Sequence, residues 1–284
     1  MTTLRHPSSA HPQTDALRAL IEEPLSVPER LDPGLRRVLA ARIGATAPGR
    51  HLGTLRLDSY GVLHRPEAGT DAAPFTWSPR TARRLLGLAA ARRVVAGGSP
   101  SPLAAVRAEI VDVVARAASA RTRPGALGSW LAEAPSGLLG AVTAEATGYA
   151  TDVVTLLDHA SLDGRIEVGQ ADPVWAAPGA PWVSLRARRD LVVALDPELR
   201  TRALVALRPG RPGDQSVDDL GLVALIDALS RPGDPVATRV IGVWPSCGRA
   251  ISLEVERETM RRAARLVVDA VVVRARLGTT TLAA

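Results

Sequence analysis

The chain has 284 residues, 46% of them hydrophobic and 23% charged, which suits one large buried core or two smaller ones and argues against global disorder. All 35 basic residues are arginine; with 29 acids the formal charge is +6. Without lysine there is no Schiff-base chemistry, no P-loop lysine and no lysine to orient an attacking water, because a guanidinium stays protonated.

Residues 1–15 are polar and read as a flexible tail, followed by two short helices over 14–21 and 33–43, separated by Pro24, Pro28 and Pro33. The stretch 51–64, with Leu52, Leu55, Leu57, Tyr60, Val62 and Leu63, predicts a strand or a hairpin turning at Asp58 to Gly61. Ser78 as N-cap and Pro79 at the first helical position open a helix with Ala82, Leu85, Leu86, Leu88 and Ala89 at helical spacing, closed by Gly97 and Gly98. A second helix runs from Ser101 to Ala118, and a third from Ser136 to Leu157, carrying Glu145, Tyr149 and Asp152.

After Asp163 the pattern changes. Strand character marks 165–168, 182–195 with a turn near Asp196-Pro197, 202–207 ending at Pro209-Gly210, and 238–244; helices are expected over 217–229 and 255–274. This order describes an α/β protein with one mixed central sheet flanked by helices and preceded by a helical N-terminal region. The expected division is a tail (1–15), a helical and hairpin lead-in (16–75), a helical region packing on the core (76–160) and the α/β core (161–278).

The lone Cys247 excludes an intrachain disulfide and any multi-cysteine metal cluster. With no signal-peptide pattern and no apolar run of about 18 residues, a cytoplasmic chain without a membrane role is expected. The five histidines lack metal-site spacing, and the five scattered tryptophans read as packing anchors.

From Trp182 onward the chain resembles the RecB-type branch of the PD-(D/E)XK nuclease superfamily, in which a strand hairpin carries a metal-binding aspartate, the next strand ends in an acid-x-lysine motif, and a helix, a strand and a closing helix follow. Leu185-Arg-Ala-Arg-Arg-Asp190-Leu-Val-Val193 puts Asp190 at the metal-binding aspartate. Ala203-Leu-Val-Ala206-Leu-Arg208-Pro-Gly-Arg211 puts Ala206 at the second acid and Arg208 at the lysine. Glu145 matches an acid that some members carry ahead of the sheet.

In that family two carboxylates hold a divalent cation and the lysine orients the attacking water. Asp190 alone is a weak metal candidate, Ala206 supplies no oxygen, and Arg208 binds phosphate without deprotonating. The resemblance therefore implies a catalytically inactive pseudonuclease without a cofactor, retained for DNA or RNA binding through Arg186, Arg188, Arg202, Arg208 and Arg211. The net positive charge permits such a partner. Two other readings stand beside it. One is an interaction or scaffold subunit whose protein partner belongs to a DNA-processing complex. The other is a magnesium-dependent nuclease with a carboxylate displaced to Asp214, Asp218 or Asp219. Asp190 also has a purely structural reading, as the ion-pair partner of Arg186, Arg188 or Arg189, and the arginine row one as a solvated, salt-bridged face.

Overall fold

The computed structural model describes residues 31–46, 55–64, 76–119, 126–160, 166–168, 172–196 and 201–281. The chain forms two compact units, one made of Met1–Ala72 and Asp163–Ala284, the other of Ala73–Leu162. The first unit begins with α1 (Pro33–Thr46), β1 (Leu55–Asp58) and α2 (Ser59–Leu63); the second contains α3 (Pro79–Val95), α4 (Pro102–Ser119), α5 (Leu127–Ala132) and α6 (Ser136–Ala160). The chain then returns to the first unit with β2 (Ile166–Val168), β3 (Val174–Ala177), β4 (Ala180–Arg186), β5 (Leu191–Asp196), β6 (Thr201–Leu207), α7 (Ser216–Ser230), β7 (Arg239–Trp244), β8 (Arg249–Glu254) and α8 (Arg257–Thr281). The helix expected over 14–21 lies outside the described residues.

The α/β class with mixed sheets and flanking helices is as expected, but the described residues form two sheets. Five strands form the order β2-β5-β6-β7-β8, and three form β1-β4-β3. In the larger sheet only β6 and β7 run parallel, and α7 makes the crossover between them. In the smaller, β1 runs parallel to β4 and β3 antiparallel to it. The expected lead-in is thus part of the first unit's sheet structure, through β1.

The stretch with strand character, 182–195, belongs to both sheets. Ala187 still donates to Pro173 O (3.1 Å) beside the small sheet, whereas Asp190 donates to Val205 O (2.9 Å) in the large one. The chain changes sheets over residues 187–190. β4 forms a hairpin with β3, turning at Pro178-Gly179, where Gly179 takes φ +81, a value few side chains tolerate, and β5 pairs antiparallel with β6, the strand that follows it.

The turn expected at Asp58 to Gly61 is a helix start. The Asp58 carboxylate accepts from Gly61 N at 2.8 Å and caps α2. Sequence reading also missed β3, α5 and β8. The last follows a 3-10 turn, Pro245–Cys247, and pairs antiparallel with β7, Trp244 opposite Arg249.

The core of the first unit surrounds α7. Every residue from Leu220 to Leu229 is buried, because the helix packs against β3 of one sheet, β7 and β8 of the other, and α8. A helix covered on all sides is apolar all round, so the one acid within this stretch, Asp227, stands out. β6 and β7 are almost entirely buried for the same reason.

The second unit is a helical assembly in which α3 packs on α4 and α6. Its first helix starts as the sequence predicts: Ser78 Oγ accepts from Thr81 N (3.2 Å) and Thr81 Oγ1 from Ser78 N (2.7 Å), a reciprocal capping box with Pro79 in the first turn. Arginines of α3 are tied within the unit, Arg83 to Glu145 (3.3 Å) and Arg93 to both Glu109 and Asp112 (2.7 Å each). Trp77 and Trp130 stack at a tilt, ring centroids 6.4 Å apart.

Candidate functional site

β6 organises the chemistry of the first unit. By the two-residue period, Arg202, Leu204, Ala206 and Arg208 lie on one side of it, and both end arginines reach acids of α7. Arg202 Nη2 meets Asp227 Oδ2 at 2.7 Å, and Arg208 Nε meets Asp219 Oδ2 at 2.6 Å. The two arginines leave opposite ends of the strand, with backbones about 20 Å apart at the usual rise per residue, and their acids, eight residues apart on α7, are about 12 Å apart along the helix.

At the Arg208 end, three positions singled out in the sequence come together. Asp190 is fully buried. Its N–H donates to Val205 O at 2.9 Å and its Oδ2 accepts from Leu207 N at 2.7 Å, so it lies beside the intervening Ala206. Arg208 follows at the strand end. The three motif positions therefore supply one carboxylate, a methyl group and a guanidinium; the Asp190 carboxylate is engaged by the backbone of the neighbouring strand, and the guanidinium by the Asp219 carboxylate of α7.

The arginines offered as partners of Asp190 are drawn to other acids. Arg186 pairs with Asp172 (3.1 Å), Arg188 lies 4.0 Å from Asp58, and Arg189 Nη1 pairs with Asp227 Oδ1. The displaced-carboxylate candidates are engaged too: Asp219 holds Arg208, and Asp218 takes Arg262 through two bonds of 2.6 and 3.0 Å. Asp214 is exposed. Among the described residues no group of three or more His, Cys, Asp or Glu side chains is arranged to hold a metal ion.

Of the five candidate nucleic-acid arginines, the geometry separates two kinds. Arg186 and Arg188 have side chains 57% and 60% exposed, and Arg211 is exposed as well. Arg202 and Arg208 are only 11% and 13% exposed and each is bound to an acid. Arg202 belongs to a buried cluster in which it shares the Asp227 carboxylate with Arg189. A single arginine row along the strand ends is not what the fold assembles.

That buried cluster was missed in the sequence. Asp227, fully buried, faces Arg189 and Arg202, with Arg231 Nε 3.8 Å from Oδ1. Burial pushes the Arg189 guanidinium below its ordinary value, the Asp227 carboxylate opposes this, and Arg231 and Arg202 add to it. The available signal was a lone aspartate inside Leu225-Ile-Asp-Ala-Leu229, since an acid in so apolar a run must find a cation. Cys247 donates weakly to Trp244 O (3.6 Å) inside its turn, in keeping with a structural thiol.

Compared with family models, with curated proteins and with solved structures, the chain gives no significant match to any of them. No helix among the described residues is long and apolar enough to cross a membrane.

Proposed function

We propose that this chain is a catalytically inactive PD-(D/E)XK-like protein that serves in nucleic-acid binding through exposed arginines at the Arg208 end of the large sheet. The observation that carries the reading is the corner formed by Asp190, Ala206 and Arg208. A working metal centre of that family needs two carboxylates and a lysine there. In this chain one acid is committed to Leu207 N, the neighbouring position is a methyl group, and the cation is a permanently charged guanidinium.

The order and senses of β2-β5-β6-β7, two antiparallel pairs followed by a parallel pair with α7 crossing between them, support the same reading. They agree with the hairpin, strand, helix, strand sequence that the resemblance implies. Arg186, Arg188 and Arg211 supply exposed cations for phosphates, and contacts of this kind position a duplex or single strand without reading its bases.

The test is binding of short labelled DNA and RNA at two salt concentrations, comparing the wild-type chain with Arg186→Ala/Arg188→Ala/Arg211→Ala. Three lost phosphate contacts flatten the salt dependence by about three logarithmic units of slope on duplex DNA. An unchanged slope in the triple variant removes the proposed surface. Absence of binding at low salt would leave a protein partner as the better reading.

A further inference from the structure

We propose that Asp219 is an internal phosphate surrogate that latches Arg208 shut, so that nucleic acid must displace it to use that guanidinium. The inference rests on the nucleic-acid reading above and adds its regulation. Asp219 projects from the first turn of α7 and meets Arg208 Nε at 2.6 Å, which leaves the arginine side chain 13% exposed and the carboxylate 18%. Beside this closed pair the Arg188 carbonyl lies 3.5 Å from Arg208 Nη1, and the exposed side chains of Arg188 and, three residues along the chain from Arg208, Arg211 supply further cations.

The closed pair is poorly bonded for a guanidinium. An arginine offers five N–H donors in a planar fork suited to two-point binding of an oxyanion. Arg208 spends one short bond on Asp219 and a long one on Arg188 O, while its Nη2 is buried without a hydrogen-bond partner. Such an unmet buried donor is unfavourable, so the latch is a compromise. A phosphodiester arriving on the neighbouring arginines offers Arg208 two oxygens for the one it has, and Asp219, already partly in water, is left solvated. Arg202 has no such route, because its acid, Asp227, is wholly buried.

The experiment compares Asp219→Asn and Asp218→Asn in the full chain, using a short labelled DNA duplex as the probe. Both remove one negative charge, from adjacent residues of one helix turn, but Asp218 holds Arg262. Asp219→Asn is expected to tighten binding at least about fivefold and to steepen the salt dependence by about one phosphate contact. Asp218→Asn changes affinity less than about twofold, as expected for an exposed charge pair. The gain disappears in Asp219→Asn/Arg208→Gln. Asp219→Ser, with the same charge change, guards against a folding defect in the first variant. Equal gains from both single variants, or a gain that survives Arg208→Gln, would overturn the latch. So would wild-type-like affinity of Asp219→Asn in a protein that binds. If neither wild type nor any variant binds, the nucleic-acid reading itself fails.

Discussion

The Asp190 carboxylate and the Leu207 backbone N–H are joined by a 2.7 Å hydrogen bond, just ahead of the point where β5 enters the large sheet. A fully buried acid placed this way supports the sheet. Asp190→Ala orphans the Leu207 donor and is expected to destabilise the first unit by about 1–3 kcal/mol, whereas Asp190→Asn, which keeps an acceptor, costs less. Denaturant titration reads both. Loss of stability in Asp190→Ala, with nucleic-acid affinity retained at temperatures where the variant is folded, is the signature of a structural rather than a ligand-binding acid. Equal stability of Asp190→Ala and wild type would contradict it.

Asp227 is the charge on which the interior of the first unit depends. Removing it leaves Arg189 and Arg202, both nearly buried, without their carboxylate. Breaking a buried pair from one side costs about 3–5 kcal/mol. Asp227→Ala should therefore unfold the first unit at much lower denaturant concentration. Substituting the more exposed Arg231, 3.8 Å away, should cost less than about 1 kcal/mol. A small effect of Asp227→Ala would mean that the cluster is solvated.

In the second unit, Ser78→Ala removes one half of the capping box at α3 and leaves Thr81 N with its 3.1 Å bond to Ser78 O alone. A loss of about 1 kcal/mol is expected, read as earlier amide exchange in the first turn of α3 than in wild type. No change in exchange would show that the box contributes nothing to the helix.

How much of this was legible in the sequence depends on whether the signal was local. The starts of α3 and α7 are written in Ser78-Pro79 and in the acids after Ser216, and the apolar run 202–207 reads as β6 because the strand is buried on both faces. What was missed depends on partners distant in sequence. Trp182 to Leu195 has strand character, yet its two halves pair with different sheets, and only the contacts of Ala187 with Pro173 and of Asp190 with Val205 reveal the crossing. β8 was passed over because Arg249 to Glu254 mixes half-buried Ile251 and Leu253 with Ser252 and charged ends, a weak strand pattern that pairing with β7 rescues.

The candidate site divides in the same manner. The motif reading brought Asp190, Ala206 and Arg208 to one corner, since all three follow from the register of two neighbouring strands. The five arginines of the row differ in exposure, Arg202 and Arg208 being largely buried. Nothing local distinguishes exposed Arg186 from Arg202, whose partner Asp227 is 25 residues away on a helix that crosses over the sheet.

The most direct measurement of the central proposal is incubation of the full chain with labelled single- and double-stranded DNA and RNA in magnesium, with binding followed at two salt concentrations and the strands then run on a denaturing gel. The expected result is binding that weakens as salt rises, with every strand intact. Strands cut by the wild-type chain and spared by Asp190→Ala would contradict it, because that corner would then be an active metal centre.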